Sequence, residues 1–284
     1  MMRWAAAFPA LLLLLAACSN AAAPEGGARH PTIVSLNPCS DAVLAEVAAP
    51  GQLLAISHYS HDPASSSMDI DLARRFPSVS GSVEEIAALS PDVVVAGTFL
   101  PPSSTAALEK LGIRVMKVSI ARNVMESEGQ VRELAKLVGA PEKGRELVAS
   151  MEAALNRAAP AKGAPAVPAI VWQSGGIVAG DDSLVADLLR RTGFANAAAA
   201  RGLGQADYLP LESIVAEPPR VILAAGDGAS QESRMLRHPA LAGLSGTERA
   251  SFESSLLWCG GPTVIRAAER LAQVRRGLEA KPGT

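Results

Sequence analysis

Short apolar runs of strand length alternate with longer stretches whose apolar residues recur every three or four positions, and the alternation begins near residue 31. Residues 32–36 form a β-branched run that predicts a strand, 40–48 a helix, and 52–56 a second strand. Ser82-Val83-Glu84-Glu85 has the S-x-x-E spacing in which serine and glutamate side chains satisfy backbone N–H groups at a helix start. Pro91 stops that helix ahead of a buried strand at 92–96. Residues 103–111 then read as helix and 113–118 as strand. Strand and helix alternating in this way close into a mostly parallel sheet.

From 124 to 159 the period becomes helical throughout, broken only at Gly139-Ala140-Pro141, where Pro141 suits the first position of a new helix. The second of these helices runs into the Pro/Gly-rich stretch 160–168. Beyond it the alternation resumes, with elements at 169–172, 184–191, 211–216, 221–225 and a last helix from 263 to about 279. The expected fold is therefore α/β: two Rossmann-like lobes with central, mostly parallel sheets, joined by a single long helix, with the ligand cleft between the lobes.

The N-terminus stands outside that pattern. Arg3, an apolar run from 4 to 15, and Ala16-Ala17-Cys18 have the charge, length and small-residue end of a secretory signal, and the run is too short to span a bilayer. Leu15-Ala16-Ala17-Cys18 resembles a lipobox, which implies lipidation at Cys18; cleavage after Ala21-Ala22-Ala23 would instead discard that cysteine. The expected layout is a leader at 1–17, a tether at 18–30, a first lobe at 31–140, an interlobe helix at 141–160 and a second lobe at 161–284.

Composition narrows the partners. With 26 Lys plus Arg against 28 Asp plus Glu in 284 residues, no basic field exists to hold nucleic acid. Aromatic residues make up only 4% of the chain, so a site built from ring faces must draw on a short list. Once Trp4 and Phe8 leave with the signal, that list is Tyr59, Trp172, Tyr208, Trp258 and the phenylalanines at 76, 99, 194 and 252.

Three segments carry a resemblance to a known family. They are Ile33-Val34-Ser35-Leu36-Asn37-Pro38, the helix and strand entry from Gly81 through Leu89-Ser90-Pro91-Asp92-Val93-Val94, and Leu211-Glu212-Ser213-Ile214-Val215-Ala216-Glu217-Pro218-Pro219-Arg220-Val221-Ile222, a second copy of the pattern with Pro-Arg replacing Pro-Asp. Together they resemble the periplasmic substrate-binding proteins of ABC importers for cobalamin, ferric siderophores and haem, over essentially all of 31–280. The resemblance implies a protein that captures a metal-chelate nutrient, a corrinoid by preference and a ferric siderophore or haem as the alternative, and delivers it to an inner-membrane permease and its ATPase. It further implies periplasmic location, contact with the membrane only through a lipid anchor, a monomer, and no cofactor of its own, the ligand bringing cobalt or iron. Small hinge motions are expected from the long helix.

The same resemblance implies roles for particular residues. Glu84 and Glu212, one per lobe, match the glutamates that meet permease arginines; a carboxylate also suits a first helical turn without any partner. Tyr59 and Trp258 match pocket aromatics. His58, beside Tyr59, Trp172 and Gln173 after a predicted strand, and Tyr208 are further candidates because they fall on predicted strand-end loops, where clefts of α/β sheets form. The H-x-x-H of His58 and His61 reads as a solvated pair, and becomes an axial ligand set only if haem is bound. A strongly anionic chelate would need local cations such as Arg122, Arg201 or Arg266. For Cys39 and Cys259 a disulfide, contact with the ligand, and inert thiols all stay open.

Enzyme signatures are missing. Gly226-Asp227-Gly228 follows a predicted strand, but Gln231 stands where a dinucleotide turn needs its third glycine. There is no H-E-x-x-H, G-x-S-x-G or P-loop, and Ser57 to Asp62 places Ser, His and Asp contiguously rather than convergently. An exported α/β enzyme and a purely structural lipoprotein are the remaining readings.

Overall fold

The computed structural model describes residues 30–226 and 238–280. The leader, Cys18 and the Asp227-Gly228 part of the glycine turn lie outside the described residues. The first lobe runs β1 (Ile33–Ser35), α1 (Pro38–Val47), β2 (Leu53–Ser57), a 3-10 turn (His58–His61), α2 (Ile70–Ala73), β3 (Ser78–Val79), α3 (Val83–Leu89), β4 (Val93–Gly97), α4 (Pro102–Lys110) and β5 (Arg114–Val118). Its five strands pair in parallel in the order β3-β2-β1-β4-β5. The strands are nearly continuous apolar runs because both sheet faces are covered: Ile33, Val93 and Val95 enter one core, while Val34, Val94 and Ala96 enter another.

Helix starts follow the sequence chemistry, with two departures. Asn37 caps α1 by accepting the Cys39 N–H at 2.8 Å, and Pro38 takes the first helical position, so the helix begins two residues earlier than its apolar period indicates. At α3 the Glu85 N–H donates to Ser82 Oγ at 3.2 Å as expected. The reciprocal half differs: the Glu85 carboxylate turns back to the Ser80 N–H at 2.9 Å and to its hydroxyl, and that hydroxyl holds the carboxyl below its ordinary range.

Two long helices follow, α5 (Val124–Leu137) and α6 (Pro141–Ala158), with Pro141 in the first turn of α6. The second lobe comprises β6 (Val167–Gln173), β7 (Ile177–Val178), α7 (Leu184–Arg191), β8 (Phe194–Asn196), β9 (Asp207–Tyr208), α8 (Leu211–Ala216), β10 (Val221–Ala225), α9 (Pro239–Ala242), β11 (Glu248–Ser251) and α10 (Thr263–Glu279). Its sheet has the order β11-β10-β6-β7-β9, with β8 also on β6. β11, β10, β6 and β8 are parallel neighbours, and β7 and β9 add an antiparallel ribbon.

The helices α5, α6 and α10 pack side by side. Through them one apolar core runs from Ile33 and Val43 of the first lobe, past Val131, Leu134, Met151 and Leu155, to Val171, Leu188 and Leu271 of the second. No helix among the described residues is long and apolar enough to cross a membrane.

Candidate functional site

A cavity of about 360 Å3 opens where the ends of β1, β2, β4 and β5 meet the loop before α10. Three aromatic side chains stand in its wall and remain largely exposed: Tyr59 at 53%, Phe99 at 84% and Trp258 at 53% of full accessibility. Val118, Ile120 and the pair Cys39 and Cys259 add apolar surface, and Asn37, Ser65 and Thr98 supply polar groups. Among the described residues, the lining includes no Asp, Glu, Lys, Arg or His.

Each wall has a local origin. The Tyr59 turn follows β2, with Ser57 as its cap accepting the Tyr59 N–H at 3.3 Å. Beyond it, Asp62 accepts the Ala64 N–H at 3.0 Å and the Ser65 hydroxyl at 2.7 Å, and that hydroxyl holds the Asp62 carboxyl below its ordinary range. Phe99 lies in the turn after β4, closed by the Leu100 N–H donating to the Gly97 carbonyl at 3.2 Å. The Trp258 loop is pressed onto the first-lobe side of the molecule: the Gly261 N–H donates to Ser127 Oγ of α5 at 2.7 Å, and a β-carbon on Gly260 would come within 2.1 Å of the same oxygen. Gly261, at φ +61°, passes Val43 of α1 so closely that a side chain there would meet it at 2.6 Å.

Cys39 and Cys259 are joined in a disulfide whose Cα atoms are 4.9 Å apart, which closes the question that counting cysteines leaves open. It ties α1 to the loop before α10 across 220 residues of chain.

Beneath the Tyr59 turn lies a buried polar cluster. The Asp41 carboxylate accepts the Ser57 N–H at 3.0 Å and the Ser60 hydroxyl at 2.6 Å through one oxygen, while its other oxygen has no hydrogen-bond partner. Burial pushes the Asp41 pKa up to about 7, against the opposing pull of the Ser35 and Ser60 hydroxyls and the Ser57 amide. The Ser35 hydroxyl is also shared with that of Ser40 at 3.0 Å.

Of the residues expected at the cleft, the cavity gathers Tyr59, Trp258, Cys39 and Cys259. Trp172 is elsewhere, and the expectation that it lines the cleft is corrected. β6 runs on to Gln173, so Trp172 is a strand residue and is fully buried with Ile170, Val178, Leu209 and Ile214 in the second-lobe core. Gln173 is half-buried at the end of β6, and the Tyr208 ring lies over Gly176; neither lines the cavity. His58 also stays out of the wall and packs its ring 4.1 Å from that of Tyr59, with Nδ1 3.3 Å from the Val79 carbonyl. His61 is no solvated partner to it, because its Nε2 lies 3.1 Å from the carbonyls of both Ala73 and Phe76 and staples the turn to α2. Glu84 and Glu212 are exposed in the first turns of α3 and α8.

Phe99 is the wall residue that the sequence reading passes over. It follows β4 as Tyr59 follows β2, so the strand-end rule identifies it as readily. The three arginines considered as counter-charges are engaged elsewhere. Arg122 pairs with Glu126 at 2.9 Å, Arg201 with Glu217 at 3.1 Å, and Arg266 donates to the Ser67 carbonyl.

The cavity with its aromatic wall is the candidate binding site, and comparison with known proteins specifies the class of the chain. The sequence profile of the periplasmic binding protein family matches residues 33–248. The chain belongs to this family. No curated protein sequence matches it. Among solved structures, this periplasmic binding protein is similar to the periplasmic heme-binding protein RhuT from Roseiflexus sp. RS-1 in apo form, at 19% identity and a TM-score of 0.68 over 88% of this chain and 98% of that one. The periplasmic heme-binding protein HutB of Vibrio cholerae gives 17% identity and a TM-score of 0.70 over 87% and 99% of the two chains. The periplasmic vitamin B12-binding protein BtuF of Vibrio cholerae gives 16% and 0.66 over 89% and 99%. At such identities the likeness is one of fold. As a periplasmic binding protein the chain is a carrier rather than an enzyme, and it works in the periplasm.

Proposed function

We propose that this periplasmic binding protein captures a metal-chelate nutrient, a corrinoid in first place, and delivers it to an inner-membrane ABC permease. The observation that carries the reading is the uncharged cavity with three exposed aromatic faces. A ligand whose metal is already chelated needs apolar contact and a few donors from the protein, and an uncharged wall disfavours a polyanionic catecholate chelate. The cavity volume suits part of such a ligand, with the remainder standing in the open cleft. Cobalt or iron then arrives with the ligand, and the chain needs no cofactor of its own. Export through the 1–17 leader and lipidation at Cys18 would tether the carrier, as a monomer, beside its permease.

The second reading, haem, rests on Tyr59, whose ring stands in the cavity wall, since a phenolate is a known axial ligand of haem iron. Two of the similar structures described above are named heme-binding proteins. A thermal-shift panel of cyanocobalamin, haemin and a ferric hydroxamate separates the readings. Cyanocobalamin is expected to raise the melting temperature, and Y59A and W258A each to weaken its binding by about tenfold, the scale of one lost aromatic contact. A haemin-dependent Soret shift that Y59F abolishes, without any response to cyanocobalamin, transfers the assignment to haem.

Glu84 and Glu212 are proposed as the permease contacts. Exposed carboxylate–arginine pairs are individually worth under about 1 kcal/mol, so two on separate lobes fix orientation more than affinity. The variant E84A/E212A is expected to retain ligand affinity and to lose uptake in a transport assay. Uptake at the parental rate overturns the docking role.

A further inference from the structure

We infer that the first turn of α1 is the positioning unit of the ligand site, with Asn37, Cys39 and Asp41 each holding one of the three loops that carry its aromatic walls. This rests on the function proposed above. Asp41 accepts hydrogen bonds from Ser57 at 3.0 Å and Ser60 at 2.6 Å, the residues that bracket Tyr59. Cys39 is bonded covalently to Cys259, the neighbour of Trp258. Asn37, already the cap of α1, lies against Gly97, where a β-carbon would come within 2.8 Å of Asn37 Nδ2; Gly97 opens the turn that presents Phe99.

These three contacts leave one short segment in three directions. Asn37 is the helix cap, and Cys39 and Asp41 lie in the first turn of α1, so their side chains diverge around the helix axis toward loops after β4, before α10 and after β2. The three loops are far apart in sequence, and this turn is the element they share. These five residues therefore give the three loops, and the aromatic faces on them, a common reference, to which Ser127 and Val43 add further support at the Trp258 loop.

The three residues are positioning residues, and their effect is local to the loop each one holds. Hydrogen–deuterium exchange on the ligand-free mature protein tests this without reference to any ligand. D41A is expected to speed exchange in 57–61 by about tenfold while changing 97–101 and 256–261 less than twofold, and D41N, which keeps an acceptor, to restore slow exchange. Reducing the unmodified protein with a phosphine, or replacing both cysteines in C39S/C259S, is expected to speed exchange in 256–261 and to change 57–61 and 97–101 less than twofold. The reduction arm needs no variant to fold. Equal acceleration in all three loops, or none in the loop assigned, overturns the inference.

Double-mutant cycles with cyanocobalamin and haemin supply a readout that general destabilisation does not move. D41A is expected to couple with Y59A and to add independently to W258A, and C39S/C259S to show the reverse. Additivity in every pair overturns the assignment of one loop to each residue. Failure of the parental protein to bind cyanocobalamin, haemin and a ferric hydroxamate alike sinks the proposed function, while the exchange result still decides the positioning role.

Discussion

Replacing Cys39 and Cys259 together by serine is expected to lower the stability of the ligand-free protein by about 5 kcal/mol, the loop-entropy cost of releasing a closure of this length. The bridge spans 220 residues, nearly the whole described chain, so its absence frees the unfolded ensemble more than that of a short loop does. On the folded side the loss is a local loosening of the Trp258 loop, which stays attached to α5 and α1 through Ser127 and Val43. A loss of that size corresponds to a melting temperature lower by roughly 10–20 °C for a chain of this length. Calorimetry of the oxidised protein against C39S/C259S measures it. A fall of less than about 1 kcal/mol would show that native-state packing, not chain entropy, carries the junction.

Stability is also expected to decline from mildly acidic to neutral pH, by about 3 kcal/mol between pH 4.5 and 7.5, and D41N to abolish that decline. The folded protein keeps the Asp41 proton until about pH 7, whereas the unfolded chain releases it near the ordinary value of 3.8. Between those values the folded state binds the extra proton. The stabilisation is therefore fully present below the lower value and is lost as pH rises through the upper one. Asparagine keeps an acceptor for Ser57 and Ser60 and cannot ionise, so its stability curve should be flat across the same window. Urea unfolding of both proteins at pH 4.5 and 7.5 reads the difference. Parallel curves would mean that Asp41 ionises in the fold at little cost.

The fold was legible in the sequence wherever one face or both faces of an element are buried. Val93 to Ala96 reads as a covered strand because each residue enters a core, and α5 and α6 are marked by a sustained helical period with Pro141 between them. Short pieces escaped for the opposite reason. β3, β7 and β9 are two residues each and are fixed by their neighbours, which leaves no period to detect. At the cleft, the family resemblance pointed to Tyr59 and Trp258, which stand in the cavity wall, whereas strand-end position misplaced Trp172, because β6 extends to Gln173 and the ring packs into the second-lobe core. Asp41 gave no signal at all. A lone aspartate inside an apolar helix looks like surface until tertiary packing places Ser57 and Ser60 against it.

The core that runs without a break through α5, α6 and α10 bears on how a transporter would tell a loaded carrier from an empty one. Separating the lobes widely would expose apolar surface along all three helices, and ligand contact at a rim of a few aromatic rings supplies too little free energy to offset that. On the proposed function, the message of occupancy would then be written on the mouth of the cleft, where Tyr59, Phe99 and Trp258 are largely exposed and a bound ligand would cover them. A permease reading such a carrier would inspect a surface more than it would measure a distance.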